Sequence, residues 1–234
     1  MTTEDPGVPV IAVDGPSGSG KGVVTTHLAA RYGFHLLDSG ALYRLVGLAA
    51  RRRGLLDTET PEEAPLGRIA ETLDVRFEPT GNPENPLSIV LEGEDVTSLV
   101  RTDEAGVDAS RVSSVPAVRR GLFDLQKSFR QSPGLVADGR DMGTEIFPDA
   151  IVKIYLTASA QARAERRYNQ LIGKDISVSL HDLFLSIQAR DERDTNRKVS
   201  PLRPADDAHV IDSTDLDISD VLERVLEIVT EKLG

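Results

Sequence analysis

The chain has 234 residues, of which 39% are hydrophobic and 28% are charged, an ordinary balance for a soluble globular protein. Its formal net charge of -11 argues against broad electrostatic binding to nucleic acid, because neutralising many phosphates requires a basic face. The absence of cysteine excludes disulfides, thiolate nucleophiles and zinc–thiolate sites. We therefore expect any anionic ligand to be bound by a local group of arginine and lysine side chains.

The N-terminal segment MTTEDPGVP is acidic and lacks the apolar run of a secretory signal. No apolar stretch approaches the ~20 residues that a membrane span requires. We expect a cytoplasmic protein, a monomer, with neither a membrane nor a nucleic-acid partner.

The first apolar run, 8–13, leads into the glycine-rich segment GPSGSGKG, which helix-forming residues follow. The order of strand, loop and helix and the spacing G-x-x-x-x-G-K are typical of a phosphate-binding loop. Backbone N–H groups and the helix dipole would bind phosphate oxygens, and Lys21 would neutralise the β- and γ-phosphates. The alternative is a plain turn between strand and helix. The predicted ATP contacts are Gly15, Pro16, Ser17, Gly18, Ser19, Gly20, Lys21, Gly22 and Val23.

The residue after the lysine departs from the usual loop pattern. A Ser or Thr hydroxyl commonly helps to hold Mg²⁺ there, but this chain has Gly22 followed by Val23. Mg²⁺ would then depend on ATP oxygens, water and carboxylates elsewhere, or on Thr25 or Ser17.

The second apolar run, 34–37, ends in Asp38 and Ser39 and continues into a helical segment with Tyr43 and Arg44. Ligands of doubly wound sheets bind at the carboxyl ends of the strands, so these four residues are candidate contacts. Alternatively, Asp38 or Ser39 caps the helix, and Tyr43 and Arg44 are surface residues.

The alternation of strand-like and helical segments changes between Gly54 and about Ser114. A helical pattern at 62–73 precedes two strand-like runs, 74–78 and 87–91, on either side of the turn-rich segment 79–83. We expect a small subdomain at 54–114, inserted into a core formed by 1–53 and 115–234.

The third apolar run, 135–137, ends in Asp138, and the segment GRDMGT follows. A carboxylate at a strand end beside a phosphate-binding loop is the Walker B arrangement, which orients Mg²⁺ or its water. The alternative is a turn with an Arg–Asp surface pair.

After the run 151–156, the sequence predicts a charged helix near 190–197. Its four charged positions at i, i+3, i+4 and i+7 share one face, where three guanidinium groups could clamp phosphates. The alternative is a solvated face with local ion pairs. The four charged residues of this helix face are Arg190, Arg193, Asp194 and Arg197.

The chain closes with the strand-like run 210–211 and an amphipathic packing helix. Its apolar positions are Ile218, Val221, Leu222, Val225, Leu226 and Val229. The N-K-x-D motif of GTPases is absent, because Asn196-Arg197-Lys198 lacks the aspartate.

Six segments, in this order, resemble the bacterial cytidylate kinases: IAVDGPSGSGKG, HLLDSGALYR, LEGEDVTSLVRT, ADGRDMGTEIFPDA, ARDERDTNR and VIDST. The resemblance covers nearly the whole chain. It implies an α/β fold, a P-loop NTPase core with a doubly wound parallel five-stranded sheet, an inserted nucleoside-monophosphate-binding subdomain and a short lid at about 158–176. It implies an enzyme that transfers the γ-phosphoryl group of ATP, with Mg²⁺, to CMP or dCMP in pyrimidine nucleotide metabolism.

The resemblance also implies residue roles, although Val23 departs from the family's G-K-G-T. Asp38 and Asp138 are candidates for orienting Mg²⁺ or its waters, and Arg163 is a candidate ATP contact. Arg163, Arg166 and Arg167 would belong to the lid, unless they are simply solvated. The implied catalytic residues are Lys21, Arg140, Arg190, Asp194 and Arg197. The implied acceptor contacts are Ser39, Tyr43, Arg44, Ser110, Arg119, Asp141, Arg190, Asp194 and Arg197.

Within this set, Ser110, Arg119 and Asp141 would read the cytosine edge. A carboxylate accepts a hydrogen bond from the exocyclic amine, while Arg and Ser satisfy the carbonyl and the ring nitrogen. Uracil has a carbonyl in place of the amine, which predicts a preference for CMP over UMP. Two other readings stay open, a P-loop kinase for a non-nucleotide metabolite and an ATP-dependent switch.

Overall fold

A five-stranded parallel sheet positions the candidate site. The computed structural model describes residues 7–58, 62–79, 87–173, 177–197 and 199–233. In chain order the elements are β1 (Val10–Asp14), α1 (Lys21–Tyr32), β2 (His35–Asp38), α2 (Ser39–Arg52), α3 (Glu63–Glu71), β3 (Val75–Pro79), β4 (Leu87–Leu91), β5 (Glu94–Asp95), α4 (Asp103–Val112), α5 (Pro116–Ser128), β6 (Leu135–Gly139), β7 (Val152–Thr157), α6 (Ala160–Ile172), α7 (Leu180–Thr195), β8 (His209–Asp212) and α8 (Ile218–Leu233). A 3₁₀ turn covers Leu99–Arg101, and a π-helical turn covers Met142–Ile146.

The parallel sheet has the strand order β2-β6-β1-β7-β8, with β1 at its centre. Val13 lies opposite Asp138 of β6 on one side and Ile154 of β7 on the other. The chain places β2 and β6 on one side of β1 and then β7 and β8 on the other, so the order is that of a doubly wound α/β sheet. The predicted fold class is confirmed, and each of the five predicted strands begins and ends within two residues of its expected bounds.

The core of this sheet is apolar and fully enclosed. All five residues of β1 are buried, as expected for a central parallel strand. Helices α1 and α8 contribute Val24, Leu28, Val221 and Val225 to the same cluster as the strands. The amphipathic pattern predicted near the end of the chain is therefore a packing helix, although Ile218 at its start is 44% exposed.

The chain divides into two compact units. One contains the described residues up to Ser39 and those from Gln126 onward, and the other is Gly40–Leu125. The second unit holds a three-stranded antiparallel sheet, β3-β4-β5, and a core that includes Leu45 of α2, Leu66 of α3 and Leu122 of α5.

The sequence predicted an insert at 54–114, whereas the compact unit is wider at both ends. Two close helix contacts explain the difference. A Cβ at Gly47 in α2 would lie 2.8 Å from Cβ of Asp108 in α4, and a Cβ at Gly67 in α3 would lie 2.7 Å from Cβ of Ala117 in α5. Helices α2 and α5 therefore pack with the insert. Of the predicted turn 79–83, positions 80–83 lie outside the described residues.

Candidate active site

The loop after β1 has the backbone that the glycine spacing predicts. Gly15, Gly18 and Gly20 have φ values of 147°, 81° and 100°, which L side chains rarely adopt. At Gly15 a Cβ would also lie 2.0 Å from the Leu156 carbonyl oxygen. Gly20 caps the N-terminus of α1 and has no side chain with which to bond the N–H groups of the first turn. The loop can therefore present backbone N–H groups to phosphate.

Lys21 begins α1 and is buried. Its Nζ donates a hydrogen bond to the Pro16 carbonyl oxygen at 2.8 Å, and Ser19 Oγ donates to the same oxygen at 3.1 Å. Burial lowers the pKa of Lys21, and the nearby Arg140 and Arg190 lower it further. A bound polyphosphate would reverse this effect, since its charge would stabilise the ammonium group.

The two candidate metal carboxylates are neighbours, because Asp38 lies opposite Asp138 in the pairing of β2 with β6. Burial raises the pKa of Asp138, and Asp38 raises it further, against the opposing effect of Lys21. A Cβ at Gly22 would lie 4.0 Å from Asp138 Oδ2, so the loop position that often carries a metal-binding hydroxyl adjoins this carboxylate. Thr25, an alternative ligand, is engaged with Asp138 and with the Gly22 carbonyl oxygen.

Within the described ranges, no group of three or more His, Asp or Glu side chains could hold a metal ion. Mg²⁺ in phosphoryl-transfer sites is commonly held by one or two carboxylates, substrate phosphates and water. The pair Asp38 and Asp138 fits that requirement.

Asp194 of α7 brings two of the predicted arginines together. Its carboxylate accepts hydrogen bonds from Nε of Arg140 and from Nη2 of Arg197. Burial alone would raise the pKa of Asp194, but the guanidinium groups of Arg140, Arg197 and Arg190 together hold it below its ordinary value. Arg190 also reaches the loop, where its Nη1 donates to Ser17 Oγ at 3.3 Å.

One residue of the predicted charged face does not join this cluster. Arg193 is exposed, and its Nε donates to the Ala189 carbonyl oxygen of the same helix. Arg197 joins the cluster from just beyond the end of α7, which is Thr195.

Arg163 lies beside the loop and is buried. Its Nε donates to the Ala158 carbonyl oxygen at 2.9 Å, and its Nη1 donates to the Ser17 carbonyl oxygen at 3.1 Å. The guanidinium group also forms a two-point ion pair with Asp191 of α7. These contacts hold the loop backbone, and the expected contact of Arg163 with ATP stays a prediction.

Two further arginines of α6 were expected to belong to the lid. Arg166 donates to Ser213, whose Oγ lies within hydrogen-bond distance of the Ser19 and Thr157 carbonyl oxygens. Arg167 donates to Gln170 within its own helix at 2.8 Å. Residues 174–176 of the predicted lid lie outside the described part of the chain.

The turn after β6 is anchored by Asp14, the last residue of β1. Asp14 Oδ1 accepts a hydrogen bond from the Met142 N–H, and Oδ2 accepts one from the Gly143 N–H, both at 2.8 Å. Asp141, the candidate base-reading carboxylate, is buried in the same turn. Sequence reasoning gave Asp14 no role. The available signal was a charged residue at the end of an otherwise apolar strand, because a buried carboxylate needs hydrogen-bond partners.

Ser39, at the start of α2, is buried, and its Oγ donates to Gln126 Oε1 at 2.7 Å. Gln126 is fully buried and was not singled out in the sequence, because an isolated glutamine in a helical pattern carries no distinguishing signal.

In the second unit, Tyr43 and Arg119 are in contact, with the guanidinium carbon 5.6 Å from the ring centroid. Arg119 is buried and donates to the Ser113 carbonyl oxygen, and Arg44 donates to the carbonyl oxygens of Val100 and Thr102. Ser110 is buried too, and its hydroxyl has no hydrogen-bond partner among the residues that the structure describes. A buried polar atom of this kind is expected where a ligand supplies the missing partner.

The strand order, the glycine loop with Lys21 and the arginine cluster around Asp194 define a P-loop kinase. Residues 11–231 match the family model described as Cytidylate kinase. A cytidylate kinase of Pseudomonas savastanoi pv. phaseolicola is 56% identical over 218 residues, which is 93% of both chains. Cytidylate kinases of Stutzerimonas stutzeri and Shewanella sp. (strain MR-4) are 52% and 50% identical and cover 96% and 97% of this chain and 96% of their own lengths. The chain belongs to the cytidylate kinase family.

Membership of this family implies ATP-dependent phosphoryl transfer, which generally requires a divalent metal. In the part of the chain that the structure covers, no helix is both long and apolar enough to cross a membrane.

Proposed function

We propose that the protein transfers the γ-phosphoryl group of ATP to CMP or dCMP, giving ADP and CDP or dCDP. The observation that carries this proposal is the group of cationic side chains beside the phosphate-binding loop. Arg140 and Arg190 are close enough to Lys21 to lower its pKa, and Asp194 holds Arg140 and Arg197 together. Such a group supplies positive charge for two phosphates rather than one.

The transfer requires no covalent enzyme intermediate. A phosphate oxygen of the acceptor attacks the γ-phosphorus in line while charge spreads over the transferring group. Lys21 neutralises the β- and γ-phosphates of ATP, and Arg140, Arg190 and Arg197 bind the acceptor phosphate and the transferring group. Because Asp194 fixes two of these arginines, little reorganisation is required when charge develops.

Mg²⁺, bound with ATP, would neutralise further charge on the β- and γ-phosphates. Asp38 and Asp138 are the residues that would hold the ion or its waters. Burial of Asp138 and its contact with Thr25 would keep that carboxylate in a defined orientation.

For the acceptor base we propose Ser110, Arg119 and Asp141. The buried hydroxyl of Ser110 and the buried guanidinium group of Arg119 support this assignment, since both offer polar groups to a ligand. Asp141 would accept a hydrogen bond from the exocyclic amine of cytosine and would disfavour the uracil carbonyl. The expected contacts of Tyr43, Arg44 and Ser39 with the acceptor, the cytoplasmic location and the monomeric state stay predictions.

The direct test measures ADP formed from ATP and Mg²⁺ with CMP, dCMP, UMP and AMP. We expect CMP and dCMP to be used best. Equal use of UMP would contradict the role of Asp141. ATP binding without turnover of any of the four would contradict the proposed function and favour an ATP-dependent switch.

Arg119→Ala separates the nucleotide kinase from a kinase for another metabolite. We expect kcat/KM for CMP to fall by about 10²-fold, because a buried donor to the base is lost. Arg120→Ala is the matched control on the same helix, since the Arg120 side chain is 70% exposed and pairs with Glu63. An Arg119→Ala enzyme with unchanged CMP kinetics would favour an acceptor without a base.

A further inference from the structure

Asp14 is a buried carboxylate that none of the proposed catalytic steps uses. It is 5% exposed and lies between the last apolar residue of β1 and the first glycine of the phosphate-binding loop. Burial raises the pKa of Asp14 to about 7, although the two N–H donors of Met142 and Gly143 lower it. A charged group in such a place destabilises the protein unless its hydrogen bonds are all made, so its presence calls for a function.

Its two hydrogen bonds have one target, the turn that follows β6. Each carboxylate oxygen accepts one of two successive backbone N–H groups, those of Met142 and Gly143, at 2.8 Å. The two residues that precede these amides are Arg140 and Asp141. The Asp14 side chain thereby connects the start of the phosphate-binding loop with the turn after β6. That turn carries Arg140, which we expect to bind phosphate, and Asp141, which we expect to bind the base.

The backbone of the turn is also packed closely against neighbouring side chains at two glycines. A Cβ at Gly139 would lie 2.7 Å from Cγ of Met142. At Gly143 a Cβ would lie 3.2 Å from Cγ and Cδ of Lys153 and 3.5 Å from Oδ2 of Asp14. With these neighbours in place, the Asp14 carboxylate fixes the position of the turn relative to β1.

We propose that Asp14 is a positioning residue for the acceptor side of the reaction, because its carboxylate holds the turn that places Arg140 and Asp141. This inference rests on the proposed function. A displacement of about 1 Å at a reacting group can lower the rate by about 10²-fold, which makes such an anchor consequential.

The test is Asp14→Asn, which keeps the shape of the side chain. The amide oxygen can accept one N–H, but the amide NH₂ faces the other N–H and displaces it. We expect KM for CMP to rise about tenfold or more and kcat to fall, while ATP binding measured without acceptor changes less than about threefold. Asp149→Asn is the control in the same unit, since the Asp149 side chain is 58% exposed and pairs with Arg130.

Unchanged CMP kinetics in Asp14→Asn would overturn the proposal. A loss of ATP affinity equal to the rise in KM for CMP would also overturn it, because the effect would then lie in the phosphate-binding loop. If Asp14→Asn does not fold, Asp14→Ser provides a smaller side chain with one acceptor, and the same split between CMP and ATP is expected.

A second measurement requires no turnover and so separates this inference from the proposed function. Amide hydrogen exchange in the wild-type protein should show protected Met142 and Gly143 N–H groups. In Asp14→Asn or Asp14→Ser at least one of the two should exchange about tenfold faster or more. Equal exchange in the wild type and the variant would contradict the anchoring role, whichever nucleotide the enzyme phosphorylates.

Discussion

Asp14 and Asp194 are buried carboxylates whose pKa values move in opposite directions. Asp14 is bound by two neutral N–H groups, and desolvation dominates, so its pKa rises to about 7. Asp194 is bound by two guanidinium groups, and their charge outweighs desolvation, so its pKa falls. The hydrogen-bonding partners of each carboxylate therefore decide its pKa. Neutral partners leave the pKa raised by burial, whereas charged partners lower it and keep the group ionised.

The raised pKa of Asp14 predicts a specific pH dependence of stability. The folded protein binds this proton more tightly than the unfolded chain, so the contribution of Asp14 to stability is present below about pH 4 and is lost as the pH rises through about 7. Asp141 and Lys21 are the charged groups with the next largest effects on it. The Tm of Asp14→Asn minus that of the wild type should increase between pH 4 and 7.5. A pH-independent difference would contradict this prediction.

Asp194 should behave in the opposite way. Its lowered pKa means that its stabilising contribution is present above the ordinary carboxyl pKa and is lost as the pH falls through the folded value. Asp194→Asn leaves buried guanidinium charge uncompensated, so we expect a loss of roughly 3 kcal/mol in the free energy of unfolding at pH 7. Urea denaturation measures this loss in the free energy of unfolding, with the exposed Asp206→Asn variant as control. A loss below about 1 kcal/mol would mean that water replaces the carboxylate.

At the scale of elements, the strands were predictable and the local support of the site was not. Apolar runs predicted the bounds of β1, β2, β6, β7 and β8 to within two residues, because a parallel strand that is buried on both faces is a continuous run of apolar residues. The π-helical turn at Met142–Ile146 has no such signature, and two of its N–H groups donate to Asp14, which is distant in sequence. Likewise, the pattern of α7 placed Arg193 with Arg190, yet in the structure Arg193 donates to the Ala189 carbonyl oxygen of its own helix, and the helical spacing does not determine which of these directions the side chain takes.

Helix α6 holds the phosphate-binding loop through Arg163, which predicts a strong effect of a conservative change. Lysine has one ammonium group and cannot contact the carbonyl oxygens of Ala158 and Ser17 and both carboxylate oxygens of Asp191 together. We expect Arg163→Lys to raise KM for ATP by about tenfold, because the loop loses a rigid support. Steady-state kinetics measure it, with the exposed Arg224→Lys in α8 as control. Wild-type KM for ATP in Arg163→Lys would show that a point charge is sufficient.

The whole molecule carries a net charge of -11, yet its described site residues include a dense group of arginines. Self-repulsion of the surface charge destabilises the folded state and is screened by salt, whereas buried ion pairs are screened much less. We expect Tm at pH 7.5 to rise between about 10 and 150 mM NaCl. Near the isoelectric point of about 4.9 the same salt series should have little effect. A fall in Tm at pH 7.5 would mean that salt weakens the exposed ion pairs more than it relieves the self-repulsion.

The central position of β1 in the sheet determines when the growing chain can first bind nucleotide during synthesis. The phosphate-binding loop leaves the ribosome before β6 and β7, which are the neighbours of β1, and before Ser213, whose Oγ donates to the Ser19 carbonyl oxygen of the loop. A nascent chain that ends before β6 has the complete loop motif without the strands that flank it. Nucleotide binding should therefore arise during translation only after β6 and β7 have emerged.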